Sequence, residues 1–321
     1  MGVGEEKTAT RVIYVGTGEI GVPTLVMLLN SRKYRVIAVI TQPDRPAGRS
    51  RVLRTPTPKI LALERGIPVL QPEKLQADLQ IISALEPDLI VTMAYGQILP
   101  KGILQLPKIA CLNVHPSLLP RHRGASPIHA TLLCGDTETG ITIIYMSSQL
   151  DSGDILLKES LTILYRETSG HLQERLSKMA PHTLMRALHL IESGAAPRLP
   201  QNPALATYSS RLTKEDARLR WTENTELLDR RVRAMHPWPG AFCLWKENGM
   251  GNKRLRILEA EPREDKEGVP GKVLSVEREG IIVRCFDGSL LVHRVLPEGR
   301  CSMLATEFAR RHRIQIGDVL G

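Results

Sequence analysis

Between Cys111 and Leu156 the chain reads CLNVHPSLLPRHRGASPIHATLLCGDTETGITIIYMSSQLDSGDIL. One apolar run ends in Asn113 and His115. A second, Ile141 to Met146, leads to a turn carrying Asp151 and Asp154. Side chains on a strand repeat every two residues, so Asn113 and His115 face the same way. An amide N–H and an imidazole aimed at one point polarise a carbonyl and hold the oxyanion of a tetrahedral intermediate; one such donor is worth about a hundred- to a thousandfold in rate. Asp151 can orient His115, hold a proton-relaying water, or accept the proton of an attacking nucleophile. No G-x-S-x-G and no Cys–His pair supplies a nucleophile, so direct transfer of an acyl group between two bound substrates fits better than a covalent acyl-enzyme. Asp154 is read as a turn cap. His115, His122 and His129, spaced by seven, match no zinc pattern, and a metal-free site is expected. Arg121 and Arg123, in the loop between the two runs, suit an anionic ligand or a nearby carboxylate.

These groups need strands that end together. Arg11 to Val15 is a buried-strand pattern, followed by Gly16-Thr17-Gly18-Glu19-Ile20-Gly21, a helical pattern through Leu29 and a strand from Tyr34 to Ile40. This is a βαβ opening with a parallel sheet. GTGEIG matches G-x-G-x-x-G, but Ile40-Thr41-Gln42 stands where a dinucleotide site needs an acid. A tight turn with close helix–sheet packing is the preferred reading, without NAD. Leu89 to Met93 is a further buried strand; the loop after it, with Tyr95 and Gly96, lies at the same carboxyl edge as Asn113, where open α/β sheets place their ligands. Ile109 to Val114 follows as a strand, Ser126 to Cys134 as a helix, Asp154 to Ile163 as an extended segment. Ser169 to Glu192 shows helical periodicity in Leu172, Leu176, Met179, Leu184 and Leu188.

Thr41 to Lys59 (TQPDRPAGRSRVLRTPTPK) carries Arg45, Arg49, Arg51, Arg54 and Lys59 with no acid after Asp44. Its prolines and glycine deny a helix or central strand. A long basic loop inside an α/β domain is usually functional, and guanidinium forks match phosphate oxygens. Ser193 to Thr207, with three prolines, reads as a linker. Beyond it Lys214 to Met235 is expected to be largely helical. Short β-type runs at Leu255 to Ala260, Lys272 to Val276, Ile281 to Phe286 and Leu290 to Val295 then suggest a small barrel or sandwich.

A length of 321 residues gives a prior of two domains. The formal net charge of +9 points to a polyanionic partner. Only 4% aromatic residues argue against a stacking-based single-strand binder. The five cysteines form no C-x-x-C pair and read as reduced thiols. MGVGEEKTAT lacks the apolar core of a signal peptide, and no apolar run approaches the roughly 18 residues of a membrane span. A cytoplasmic, bacterial-type protein without a membrane partner is expected, as a monomer.

LNVHPSLLPRHRGASPI followed by GITIIYMSSQLDSGDI resembles the 10-formyltetrahydrofolate-using transformylase family. TQPDRPAGR and TYSSRLTKEDARLRW narrow the resemblance to its methionyl-tRNA formyltransferases, over nearly the whole chain. It implies a Rossmann-like, mostly parallel α/β catalytic domain (1–192), a linker (193–207) and an OB-like barrel that contacts tRNA (208–321). It implies catalytic roles for Asn113, His115 and Asp151, and folate binding by Ser117, Leu118, Leu119 and Pro120. Tyr95 and Gly96 join that folate set from the neighbouring loop. Initiator methionyl-tRNA is engaged by the basic insertion with Arg45, Arg49, Arg51 and Arg54, and 10-formyltetrahydrofolate is the formyl donor. The family usually shows GTP-x-F-A where this chain has GTGEIG, which accounts for the dinucleotide-like match. It also commonly has Gly where Pro116 stands.

Overall fold

The computed structural model describes residues 9–47, 52–246, 251–265 and 267–321. Contacts divide it into two compact units. The first comprises Met1–Pro127, Glu138–Thr162 and Gln173–Ser209, the second Ile128–Thr137, Ile163–Leu172 and Ser210–Gly321.

In chain order the elements begin with β1 (Thr10–Gly16), α1 (Val22–Leu29), β2 (Tyr34–Ile40), β3 (Arg45–Ala47), β4 (Val52–Arg54), α2 (Thr57–Glu64) and β5 (Val69–Leu70). Then come α3 (Leu79–Ala84), β6 (Leu89–Met93), α4 (Lys101–Leu104), β7 (Ala110–His115), β8 (Arg123–Gly124), α5 (Pro127–Cys134), β9 (Glu138–Tyr145), β10 (Ile155–Thr162), α6 (Ser169–Glu192) and β11 (Tyr208–Ser209). The main sheet of the first unit has the order β10-β9-β7-β6-β1-β2-β5. Its members from β7 to β5 run parallel, while β9 and β10 add an antiparallel edge. Strand order reverses at β1, between β2 and β6, which opens a crevice at the carboxyl ends. β1 and β6 are apolar on both faces because helices cover both sides of a parallel sheet, and every residue of β6 is buried.

The glycine turn after β1 is a packing device. Thr17 and Gly18 N–H both donate to Ala94 O (3.2 and 3.1 Å), and Tyr14 Oη donates to Gly21 O at 3.0 Å. The Thr17 and Gly18 amides are thus engaged within the fold. Residues 193–207, expected as a linker, run as a strap along the first unit. Leu199 and Ile155 exchange backbone hydrogen bonds (2.8 and 3.0 Å), and β11 pairs in parallel with β8.

The second unit adds α7 (Thr225–Ala234), β12 (Phe242–Lys246), β13 (Asn252–Arg263), β14 (Val273–Val276), β15 (Ile281–Arg284), β16 (Ser289–Pro297), β17 (Met303–Leu304) and α8 (Ala305–His312). Its curled antiparallel sheet has the order β12-β13-β16-β15-β14, a half-barrel: the spacing of the β-type runs left barrel or sandwich open, and the family resemblance implied the OB-like barrel. The terminal residues engage both edges: Gly321 and Leu244 exchange hydrogen bonds, while Asp318 O accepts from Val273 N at 2.8 Å. Pairing of this kind blunts an edge that would otherwise template association. Trp245 meets Phe308 and His312 edge-on, the three ring centroids lying 4.7 to 4.9 Å apart. The helix expected over Lys214 to Met235 is confined to α7, preceded by a 3-10 turn at Glu215–Ala217. Ala217, Leu219 and Trp221 are buried at every second position, and Leu219 N donates to Phe242 O at 2.7 Å. A period of two favours extension over helix there.

Candidate active site

Asn113 and His115 end β7, and the sheet register decides what they meet. Thr92 on β6 is the Cα partner of Asn113, and its hydroxyl donates to Asn113 Oδ1 at 2.9 Å. The amide orientation is set from the other side, since the Asp151 carboxylate only accepts and so selects the nitrogen. Asn113 Nδ2 faces Asp151 Oδ1 at 3.1 Å. His115 is buried. Its Nε2 lies 3.0 Å from His122 O, and its Nδ1 lies 3.7 Å from Asp151 Oδ2. A carbonyl only accepts, so Nε2 carries a hydrogen and the proton that can come and go is the one on Nδ1.

Asp151 sits in the turn between β9 and β10, with a left-handed φ of 47°. Its Oδ2 accepts from Gly124 N at 2.8 Å. Gly124 has φ 114°, and a Cβ there would lie 2.3 Å from Ser209 O, so only glycine offers its amide at that spot. Gly153 is fixed by the same logic: a Cβ would lie 1.7 Å from Tyr145 O. Thr92, Gly124, Gly153 and Gln201 support these three groups, although none of them was assigned a role from the sequence. The hydroxyl of Thr92 inside the apolar LIVTM strand was the one visible signal.

A cavity of about 460 Å³ opens on this group. It is lined by Asn113, His115 and Asp151, by the loop from Ala94 to Leu99, and by Ile144 and Met146. Tyr95 and Gly96 therefore share a cavity with the three polar groups. Ser117, Leu118, Leu119 and Pro120 are outside its lining. Ser117 Oγ donates to Arg121 O at 2.7 Å, Leu119 packs with Ile144 and Ile155, and Leu119 O accepts from Lys158 Nζ at 2.6 Å. These residues secure the loop from behind. Arg123 is buried and donates to Gln201 and Tyr208. Burial pushes the Cys111 thiol up to about 12, so it is no thiolate nucleophile. Burial likewise pushes the Tyr95 phenol up to about 12. Among the described residues no group of His, Cys, Asp and Glu is arranged to hold a metal ion, and no helix is long and apolar enough to cross a membrane.

β3 and β4 form a small hairpin in which Arg45 and Arg54 are directly opposed, both with exposed side chains. Their acidic neighbours, Glu73 at 4.0 Å and Glu19 at 3.5 Å, are exposed as well. Arg49 and Arg51 lie outside the described residues. The hairpin base is fastened by Asp44, which receives Lys59 Nζ at 2.9 Å and Gln71 Nε2 at 2.9 Å. Those hydrogen bonds hold the Asp44 carboxyl below its ordinary range.

The family model described as formyl transferase matches residues 10–188, and that of the formyl transferase C-terminal domain matches 211–313. The methionyl-tRNA formyltransferase of Syntrophus aciditrophicus is 42% identical over 97% of this chain and 98% of its own length. That of Methylacidiphilum infernorum is 41% identical over 97% and 98%. Among solved structures, HypX from Aquifex aeolicus in complex with tetrahydrofolic acid superposes with a TM-score of 0.63 at 17% identity. It covers 97% of this chain, which spans 49% of HypX. An N-formyltransferase from Helicobacter canadensis, solved with folinic acid and dTDP-3-aminofucose, gives 0.61 at 16% identity over 88% and 98%. These two likenesses speak for the fold, and the relatives above for the lineage. The chain belongs to the formyl transferase family, in its methionyl-tRNA formyltransferase branch.

Proposed function

We propose that this cleft transfers the formyl group of 10-formyltetrahydrofolate to the α-amino group of methionine on initiator tRNA. The observation that carries the reading is the convergence of the Asn113 amide, His115 Nδ1 and the Asp151 carboxylate on the mouth of one cavity. The cavity suits a folate: its apolar wall of Ile98, Leu99, Ile144 and Met146 can take a flat ring, and polar groups stand at one end.

The neutral α-amine attacks the formyl carbon; free α-amines titrate near 7.7–8.0, so a useful fraction is unprotonated. The second Asn113 N–H and a proton on His115 Nδ1 stabilise the oxyanion that forms. Asp151, one oxygen held by Asn113 Nδ2 and the other by Gly124 N, takes the amine proton through water. The C–N bond to the folate then breaks, and the folate nitrogen leaves with that proton. Tyr95 and Gly96 form the folate wall, while Ser117, Leu118, Leu119 and Pro120 keep the loop behind His115 in place. Arg45 and Arg54 face the phosphates of the tRNA: like charges opposed on a hairpin repel each other, and a polyanion relieves that repulsion. Arg49 and Arg51 extend the same basic insertion. Residues 1–192 act as the catalytic domain and 208–321 as a tRNA-contacting one, in a monomer of the bacterial cytoplasm.

Mixing the protein with charged initiator tRNA and the formyl donor, then weighing the aminoacyl group by mass spectrometry, tests the reading. Formyl-methionine is expected. Formylation of a nucleotide-linked amino sugar with none on the tRNA would overturn it.

A further inference from the structure

We infer that Gln201, set by the buried Arg123, is a positioning residue for Asp151; the inference rests on the reading of Asp151 as part of the formyl-transfer site. Gln201 Nε2 donates to Asp151 O and to Gly153 O, both at 2.8 Å, so its two amide hydrogens close the turn from one side. Its Oε1 accepts from Arg123 Nε at 3.1 Å and Nη2 at 2.8 Å. A guanidinium only donates, so Arg123 selects the oxygen of the amide and leaves the nitrogen for the turn. Arg123 itself is 5% exposed, donates to Tyr208 Oη at 3.3 Å, and bonds Thr207 O through its backbone.

The same two-residue strand holds the other end of Asp151. Gly124, next to Arg123, gives its N–H to the Asp151 carboxylate. Backbone and carboxylate are therefore referenced to one strand, β8, which pairs with β11 at the end of the strap. Asp151 needs that support, because a non-glycine residue at φ 47° persists only where its surroundings over-determine it. The strap thus places the proton-accepting carboxylate, although no atom of Gln201 lines the cavity.

The test uses the full-length protein with Gln201→Ala, Gln201→Glu, Asp151→Asn and the Asp151→Asn/Gln201→Ala double variant. Gln201→Glu keeps the size and still accepts from Arg123, but offers no hydrogen to the two carbonyls. Both Gln201 variants are expected to lower kcat by about tenfold to a hundredfold, with KM for tRNA and folate within about twofold, since misplacing a reacting group by about 1 Å costs on that order. In the Asp151→Asn background Gln201→Ala should add no more than about a twofold loss, the signature of two residues acting as one unit. Amide hydrogen exchange across residues 147–154 should quicken in Gln201→Ala. Wild-type kcat in Gln201→Glu, an equal loss in both backgrounds, or a loss confined to KM would overturn the inference. Wild-type turnover in Asp151→Asn would instead overturn the reading of the site, and the exchange rates would still report whether Gln201 holds the turn.

Discussion

At the scale of single residues, Asn113, His115 and Asp151 are a small set of donors and acceptors whose directions are fixed by hydrogen-bond partners both in the cavity wall (Thr92, Gly124) and behind it (His122, Gln201). Asn113→Ala, His115→Ala and Asp151→Ala are each expected to lower single-turnover formylation by about two orders of magnitude or more, with tRNA affinity little changed, because they remove interactions made in the transition state. Single-turnover rates and filter binding check this, and near-normal rates in all three would remove the assignment. Gly153→Ala tests the turn by sterics alone. With a Cβ 1.7 Å from Tyr145 O the turn has to move, an overpacking defect that costs about 1–3 kcal/mol in melting experiments and should take turnover with it. The alternation of Asn113 and His115 after an apolar run pointed to one face and one chemistry. Thr92 showed only as a hydroxyl in an apolar strand, and Gly124 and Gln201 were not readable, because what makes them matter is register and long-range hydrogen bonding, which no local spacing encodes.

At the scale of elements, the basic hairpin shows both what a pattern reveals and what it hides. Prolines and a run of arginines marked Thr41 to Lys59 as a basic surface feature, whereas the opposition of Arg45 and Arg54 depends on pairing between β3 and β4. Exposed ion pairs such as Arg45–Glu73 contribute only about 0–1 kcal/mol, so both cations remain available to phosphate. Arg45→Ala/Arg54→Ala should weaken tRNA binding and lower the slope of log K against log salt by roughly one to two units. An unchanged slope would take the hairpin out of the interface. Its anchor carries a pH signature. Asp44 has a lowered carboxyl through Gln71 first and Lys59 next, so the folded state binds fewer protons there than the unfolded chain. The stabilisation is present above the unfolded carboxyl value and is lost as pH falls through the lower folded one. Asp44→Asn should therefore be less stable than wild type in denaturant titrations near neutrality, and the gap should close on acidification through the carboxylate range. The same contrast between pattern and pairing explains the helix expected from Lys214: after the 3-10 turn, Arg218 and Leu219 run extended against Phe242, and helix begins only at Thr225.

At the scale of the whole molecule, the two compact units are not two consecutive stretches of sequence. Residues 128–137 and 163–172 join the second unit while the strap belongs to the first, a division that depends on packing partners and that a linear composition profile does not carry. What the profile does carry is charge, and a net +9 has a consequence that separates encounter from chemistry. Exposed cations act over about a Debye length, roughly 8–10 Å at physiological salt, and their attraction for a polyanion fades as salt rises. Asn113 and His115 instead lie 3.1 and 3.7 Å from Asp151 in a largely buried setting, where mobile ions screen little. Raising salt should therefore depress kcat/KM for tRNA steeply, along the slope set by the number of phosphate contacts. The single-turnover rate at saturating tRNA should stay within about twofold, since buried pairs are screened much less. Rapid-quench measurements of formyl-methionine across a salt series distinguish the two quantities. If the saturated rate fell in parallel with kcat/KM, the chemical step itself would depend on screened surface charge, and the division of labour between the basic hairpin and the polar cleft would have to be abandoned.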